Sequence, residues 1–446
     1  MLKTNSKEIT KNDTFIALKG ENWDGHNYIE EAIKNGANQI IAEHGLYSVE
    51  TLIVKDTKEY LKRYVETYKA EINDLHIIGM TGTNGKTTTC YLLYQALNEI
   101  GEKCAYIGTI GFYIEEKIRD LKNTTPGILD IYEMLLEAKK EGCTYVVMEV
   151  SSHALAQDRV YGLEFDVAII SNITRDHLDY HKTMEEYASA KQKLFYMLKP
   201  NGIAIIPEEI EYKSYFMLDK NHNITYGKKG DYKLINYDLD TDKTKFTISH
   251  DSVEETYEMK LLGLYNIHNM MNVIITLDYL GMLNKDIIPT LTPPPGRMEI
   301  ISYENNQIMI DYAHTPDAVQ NIVSSIKMLA KGRIYVIIGC GGNRDKEKRP
   351  MMAKIATELA DYVIFTSDNP RDENPEDIIR DMVENLDATN YEIEINREKA
   401  IIKGIQKCIK NDILLILGKG HENYQIIKNE KLHFDDKEIV LEYCRR

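Results

Sequence analysis

Gly79-Met80-Thr81-Gly82-Thr83-Asn84-Gly85-Lys86-Thr87 lies between two apolar segments, Leu75-His76-Ile77-Ile78 and Thr88-Thr89-Cys90-Tyr91-Leu92-Leu93-Tyr94-Gln95-Ala96-Leu97. The first segment reads as a buried strand and the second as a helix. Strand, glycine loop and helix is the context that a phosphate-binding loop requires. Glycines let backbone N–H groups turn toward a phosphate without a Cβ in the way. The helix N-terminus adds a positive partial charge. Gly82, Thr83, Asn84, Gly85, Lys86, Thr87 and Thr88 are the nucleotide-binding candidates, with Lys86 reaching the outer phosphates and the Thr87 hydroxyl on Mg²⁺. The strict spacing of such loops puts a glycine at position 80, where Met80 stands. Gly79 comes one residue early, so the loop is a variant.

The 446 residues are too many for one core and predict several domains. A formal charge of −16 disfavours nucleic-acid binding. It also requires that any anionic ligand be held by locally placed Arg, Lys, backbone N–H groups or metal. No apolar run reaches the ~18 residues of a membrane span, and Met1-Leu2-Lys3-Thr4-Asn5-Ser6 lacks the apolar core of a signal peptide. A cytoplasmic protein without a membrane span is expected, and a monomer. Cys90, Cys104, Cys143, Cys340, Cys408 and Cys444 form no C-x-x-C pair and read as core thiols.

The expected architecture is α/β in three domains. Residues 1–74 form a small N-terminal α/β domain, with strands at Thr14–Leu18 and Gln39–Ala42 and a helix from Tyr28 that ends near Gly36. Residues 75–297 form a central parallel-sheet ATPase domain. Its near-continuous apolar runs Tyr145–Met148 and Val167–Ile170 suit strands covered on both faces. Residues 232–262 read as antiparallel hairpins, and an amphipathic helix is expected from about Asn266 to Leu280. Thr292-Pro293-Pro294-Pro295-Gly296 is a linker, because its prolines cannot continue a helix. Residues 298–446 form a C-terminal Rossmann-like domain, with buried strands at 308–310, 335–338, 362–365 and 414–417.

Polar residues recur where the parallel strands end, which is where open α/β sheets bind ligands. Glu149 ends one such strand and is the candidate carboxylate for Mg²⁺; a helix cap or a surface charge is the alternative.

At this point the chain resembles the Mur ligases. The resemblance is carried, in order, by Thr81–Thr87, by Glu149-Val150-Ser151-Ser152-His153-Ala154-Leu155, and by Asn172-Ile173-Thr174-Arg175-Asp176-His177-Leu178-Asp179-Tyr180-His181. It continues through Gly263-Leu264-Tyr265-Asn266-Ile267-His268-Asn269, Pro295-Gly296-Arg297-Met298-Glu299 and Asp311-Tyr312-Ala313-His314-Thr315-Pro316. It implies an ATP-dependent amide ligase that forms an acyl phosphate, which an amine then attacks. Both steps gather anions, so positive charge must be concentrated there; Lys86 and Arg297 would supply it. The family's second Mg²⁺ is held partly by a histidine and a carbamylated lysine, matched by His177 and Lys191. Asn269 is implied on the adenine side. Asp311 and His314 are implied near the nucleotide, with core or capping roles as their competitors.

On the acceptor side the chain resembles members that bind UDP-N-acetylmuramoyl-L-alanyl-D-glutamate, through Thr124, Thr125, Ser151, Gln157 and Arg159. In the last domain three elements follow buried strands: Gly341-Gly342-Asn343-Arg344-Asp345-Lys346, Ser367-Asp368-Asn369-Pro370-Arg371 and Gly418-Lys419-Gly420-His421-Glu422. Arg344, Asn369, Arg371, Gly418 and Glu422 match the positions that hold meso-diaminopimelate. Its far carboxylate suits an arginine, whereas L-lysine would leave a buried Arg371 without a partner. The other reading of Arg371 is a surface ion pair with Asp372 or Glu373. The family's D-S-R motif is represented by Asn5-Ser6-Lys7, almost at the start, and Asp24-Gly25-His26-Asn27 still looks like the family. Ser6 and His26 are therefore acceptor candidates on a shortened domain. A paralogue with another acceptor or amino acid, and a nucleotide-binding regulator without catalysis, are the competing readings.

Overall fold

The apolar runs become strands, and helices cover them. The computed structural model describes residues 1–20, 23–219, 222–240, 243–428 and 430–445. The chain forms two compact units. The first comprises Met1–Leu75, Pro126–Gly142 and Gln157–Leu163; the second comprises His76–Thr125, Cys143–Ala156 and Glu164–Arg446.

The first unit holds an all-parallel sheet in the order Leu2–Lys3, Thr14–Ile16, Gln39–Ala42, Glu50–Ile53. Its outer two strands escape sequence reading: one has two residues, and the other is mostly exposed, so neither leaves an apolar run. Helix Ile29–Asn35 stops at Gly36 in the left-handed region, as expected. Helix Ile128–Lys140 packs here on Thr57–Glu66 and Lys69–Ile72, although it lies far along the chain.

The second unit contains two large sheets and a two-stranded ribbon, Tyr424–Ile427 with Glu430–His433. The larger has eleven strands in the order Val253–Met259, Thr244–His250, Tyr232–Leu239, His222–Gly227, Leu198–Pro207, Phe165–Ile170, His76–Thr81, Tyr145–Glu149, Cys104–Gly108, Gly111–Ile114, Glu116–Arg119. Its central strands run parallel, and the last two at each edge are antiparallel. The hairpins expected at 232–262 thus extend this sheet. Helix Leu264–Tyr279 corrects the sequence reading: it is not amphipathic, and no side chain is exposed from Leu264 to Leu277. It lies against helix Lys86–Glu99 and shares a core with Phe246, Ile248 and Tyr257. Its asparagines bond inward. Asn266 donates to Leu262 O (2.8 Å), Asn269 to Asn266 Oδ1 (2.9 Å) and Asn272 to the Tyr226 hydroxyl (3.0 Å).

The smaller sheet runs Glu299–Tyr303, Asn306–Asp311, Ile413–Leu417, Ile334–Ile338, Tyr362–Phe365, Tyr391–Ile393, all parallel except the first. A core lies on each face. Arg397 and Asp436 form a fully buried two-pronged ion pair, with Nε–Oδ1 at 2.8 Å and Nη2–Oδ2 at 2.6 Å, and Arg397 also donates to Leu417 O. The pair ties the C-terminal helix Asp436–Cys444 to helix Arg397–Lys407. No described helix is long and apolar enough to cross a membrane.

Removing one partner strands a charge in the interior. Asp436→Asn is expected to destabilise this module by about 3–5 kcal/mol, while the double change Arg397→Met/Asp436→Leu recovers most of the loss. Denaturant unfolding, followed by hydrogen exchange of strand Ile413–Leu417, measures both.

Candidate active site

Gly79 belongs to strand His76–Thr81 rather than to the loop. A Cβ there would lie 2.6 Å from the Phe165 ring, so packing accounts for this glycine. The loop turns at Gly82 and Gly85, with φ of 141° and 89°. A Cβ at Gly82 would meet Ser171 Oγ at 2.0 Å, and one at Gly85 would meet Asn269 Oδ1 at 2.5 Å. Asn172 pins the loop from the neighbouring strand end: its carbonyl accepts from Thr83 N (3.0 Å) and its Oδ1 from Asn84 N (2.9 Å). The N–H groups of Gly85, Lys86, Thr87 and Thr88 have no hydrogen-bond partner among the described residues. With the start of helix Lys86–Glu99 they present a row of free donors at a helix N-terminus, an arrangement that suits an anion.

Two lysines converge on this loop. Lys86 Nζ donates to Gly82 O (2.8 Å) and Thr83 O (3.0 Å), and Lys191 Nζ donates to the same Gly82 O (2.9 Å). Lys191 is 1% exposed and rests over the Tyr187 ring. Burial, and then the charge of Lys86, push its amine well below the usual lysine range. Burial also lowers Lys86, against the opposing pull of Glu149 and Asp176.

Glu149 is neither a helix cap nor a surface charge. It is fully buried and accepts from the Thr87 hydroxyl (2.9 Å), the Tyr106 hydroxyl (2.5 Å), Thr109 N (2.8 Å) and Thr109 Oγ1 (3.1 Å). The two oxygen-bearing side chains proposed for Mg²⁺ therefore touch each other. His177 takes a left-handed backbone at φ 56° and pairs with Asp176, Nε2–Oδ2 3.4 Å. Burial lowers the His177 imidazole, helped by His153, Lys191 and Lys86; His177, Lys348 and His314 hold the Asp176 carboxyl down despite its burial. Among the described residues no group of three or more His, Cys, Asp or Glu is arranged to hold a metal.

The linker leads directly into the site. Arg297 donates to the Thr87 hydroxyl (3.2 Å) and stacks 4.6 Å over the Tyr312 ring. Asp311 accepts from Met298 N and Ala313 N, both at 2.8 Å, and burial raises its carboxyl despite Arg297. His314 Nδ1 faces Tyr312 O (2.8 Å), and burial pushes its ring down to about 4. Asn269 is buried behind the loop, within 3.3 Å of the Thr89 hydroxyl.

The three elements of the smaller sheet share one edge, because strands Ile413–Leu417, Ile334–Ile338 and Tyr362–Phe365 are neighbours and parallel. Asn369 is central. It donates to Glu422 Oε2 (2.7 Å), and its Oδ1 accepts from Ile426 N (2.9 Å). Glu422 also meets the hydroxyls of Tyr312 (3.5 Å) and Tyr424 (3.4 Å). Burial, then Asp368, raise the Glu422 carboxyl; Lys419 opposes this. Gly418 is left-handed beside Asp368, and Arg344 is exposed.

Arg371 does not pair with Asp372 or Glu373. Glu373 is taken by Arg349, in two bonds of 2.9 Å, and Asp372 by Asn343. Arg371 is half-buried, donates only to Gly342 O (2.9 Å) and Asn369 O (3.4 Å), and has no carboxylate within ion-pair distance among the described residues. Burial and Arg344 lower its guanidinium. Its backbone sits at φ 52°, held by Ile426 O (3.0 Å) and Lys428 N (2.7 Å) of the hairpin Tyr424–Ile427/Glu430–His433.

The acceptor candidates are distributed over the two units. Thr124, Thr125 and Ser151 lie in the second: Thr124 touches the Thr109 hydroxyl (3.0 Å), and fully buried Thr125 donates to Glu149 O (2.8 Å) and accepts from Ser151 N (2.9 Å). Ser6, His26, Gln157 and Arg159 lie in the first. Ser6 donates to Glu31 (2.6 Å), and Arg159 donates to Gln157 (2.6 and 3.0 Å). Both ring nitrogens of His26 are occupied, by Asp24 (2.6 Å) and Glu43 N (2.9 Å). Sequence reasoning assigned no role to Asn172, Tyr312, Asp368 or Lys419, although each stands inside a motif it quoted. Tyr106 stands in none.

Comparison with known proteins matches residues 1–73 to the model described as "Mur ligase family, catalytic domain", residues 80–277 to "Mur ligase middle domain" and residues 296–420 to "Mur ligase, glutamate ligase domain". The UDP-N-acetylmuramoyl-L-alanyl-D-glutamate--2,6-diaminopimelate ligase of Clostridium perfringens is 40% identical, over 98% of this chain and 93% of its own. The protein of the same name from Aquifex aeolicus is 40% identical, over 98% and 92%. A solved structure of a ligase of that name is 32% identical, with a TM-score of 0.66 over 100% of this chain and 94% of that one. The chain belongs to the Mur ligase family of ATP-dependent ligases.

Lys191 binds fewer protons folded than unfolded at neutral pH, because its folded value lies below the free value of 10.5. Unfolding therefore takes up a proton, and the penalty at this site fades as pH rises toward the free-lysine range. Lys191→Met is expected to stabilise the metal-free protein at neutral pH, by a margin that shrinks between about pH 7 and 10. Urea titrations of both proteins across that range test it.

Proposed function

We propose that this enzyme joins meso-diaminopimelate to UDP-N-acetylmuramoyl-L-alanyl-D-glutamate, driven by ATP, in the synthesis of peptidoglycan precursors. The names of relatives 37–40% identical over nearly the whole chain support this reading. The observation that carries it is Arg371: a half-buried guanidinium, beside Glu422 and Asn369, with no carboxylate within ion-pair distance among the described residues. A diamino acid with a second carboxylate supplies the missing partner at Arg371, and Glu422 faces its far ammonium. L-Lysine would leave Arg371 desolvated and unpaired.

In the first step the acceptor carboxylate attacks the γ-phosphorus, ADP departs and an acyl phosphate forms. In the second, the amine attacks the acyl carbon, and phosphate leaves from a tetrahedral intermediate. The free N–H groups of Gly85 to Thr88 and the Lys86 ammonium hold the phosphates, and Arg297 faces the developing charge. Asn269, Asp311 and His314 take the nucleoside end. Thr124, Thr125 and Ser151 serve the acceptor in the second unit, as do Ser6, His26, Gln157 and Arg159 in the first.

Mg²⁺ is a hard cation that suits the Thr87 hydroxyl and the Glu149 carboxylate, and it would neutralise phosphate charge. Burial shifts the Lys191 amine toward its uncharged form, the form that adds CO₂ and releases a proton to give a carbamate. With His177, that carbamate would provide an anionic oxygen where the described side chains alone form no metal cluster.

Phosphate release from ATP is expected only when both the UDP-linked dipeptide and meso-diaminopimelate are present. A coupled assay across a panel of amino acids tests this, and steady release with neither substrate, or equal use of L-lysine, counts against it. Arg371→Met is expected to lower kcat/KM for meso-diaminopimelate about 10²- to 10³-fold. The KM for ATP should change little, and the preference over L-lysine should disappear.

A further inference from the structure

Asn84 is held from two directions. Its backbone belongs to the larger sheet's module: Asn172 Oδ1 takes its N–H (2.9 Å), and its carbonyl accepts from Ser171 Oγ (2.5 Å) and Asn172 Nδ2 (3.2 Å). Its side chain points the other way, into the smaller sheet's module. Asn84 Nδ2 donates to Asp317 Oδ2 (2.8 Å), and its Oδ1 faces the Thr315 hydroxyl (3.4 Å).

Both partners stand at the start of helix Pro316–Leu329. Thr315 caps that helix by accepting from Ala318 N (3.2 Å), and Asp317 occupies its first turn, where the helix dipole favours a carboxylate. Asp317 has no cation within ion-pair distance among the described residues. Burial raises its carboxyl, and its bonds to Asn84 and Asn321 oppose that. A desolvated carboxylate without a counter-ion depends on its hydrogen-bond donors, and one of these is a residue of the phosphate loop.

We propose that Asp317 is a positioning residue: it holds the Asn84 amide, and through it the phosphate loop, so that nucleotide turnover depends on the seating of the smaller sheet's module. This rests on the ligase reading above. The amide at position 84 serves both partners at once, giving a donor to Asp317 and an acceptor to Thr315. Other contacts bring the same two modules together. Arg175 meets Asp345 (3.3 Å) and Glu347, and Lys348 lies 4.0 Å from Asp176. The Asn84 contact, like that of Arg297 with Thr87, ends on the loop itself.

The test is a double-mutant cycle on the full-length enzyme with ATP, the UDP-linked dipeptide and meso-diaminopimelate. Asp317→Ala and Asn84→Ala should each lower kcat/KM for ATP about 10- to 30-fold, and the double variant should lose no more than either single one. Asp317→Asn keeps an acceptor and should lose no more than about 3-fold, which separates positioning from misfolding. The KM for meso-diaminopimelate should stay within about 3-fold throughout. Losses that multiply in the double variant, or an Asp317→Ala enzyme at the wild-type rate, overturn the proposal. Calorimetric ADP affinity of the same proteins should follow the same non-additive pattern. Wild-type protein that binds ADP without ligating would overturn the functional reading instead, while the cycle in ADP affinity still decides on Asp317.

Discussion

Two amines share one backbone oxygen. Lys86 and Lys191 both donate to the carbonyl of Gly82, and the rest of the site is arranged around that meeting. Two ammonium groups at such range repel each other, and burial removes the water that would screen them. Burial lowers both amines, and the neighbouring charge of Lys86 lowers Lys191 further. The protein as a whole carries a formal charge of −16, so this cationic pocket is made locally, by side chains and unpaired amides, against the average field.

Around this point the two large sheets of the second unit meet through a continuous series of contacts. Arg297 touches Thr87 in the loop and stacks on Tyr312; Tyr312 reaches Glu422; Glu422 bonds Asn369, whose carbonyl accepts from Arg371. Five contacts thus connect the groups that would hold a nucleotide to those that would read an amino acid. Condensing two substrates depends on holding both in register, and here the register is set by aromatic and carboxylate side chains rather than by the irregular linker before Arg297.

Much of this was legible in the sequence. The glycine loop and the buried parallel strands declare themselves, since a strand covered on both faces must be apolar almost throughout. The motifs at the strand ends located most of the residues that converge. What escaped shares one physical cause: it is decided by partners distant along the chain. The edge strands Leu2–Lys3 and Glu50–Ile53 bury too little to leave a pattern. The helix from Asn266 reads as amphipathic in the sequence, but the inward partners of Asn266, Asn269 and Asn272 are invisible in one dimension. Helix Ile128–Lys140 was read with the central region, yet it packs with the first unit. Tyr106, which closes over Glu149, and Arg349, which removes Glu373 from Arg371, carry no motif.

The hairpin after Glu422 clamps the main chain of Arg371 on both sides, and that chain lies in a conformation few side chains adopt willingly. The orientation of the guanidinium is therefore inherited from a surface ribbon that touches no substrate in the scheme above. Lineages, and protein engineers, thus have an indirect handle on which amino acid is admitted. Lengthening or trimming that ribbon re-aims the arginine without altering a single codon of the pocket.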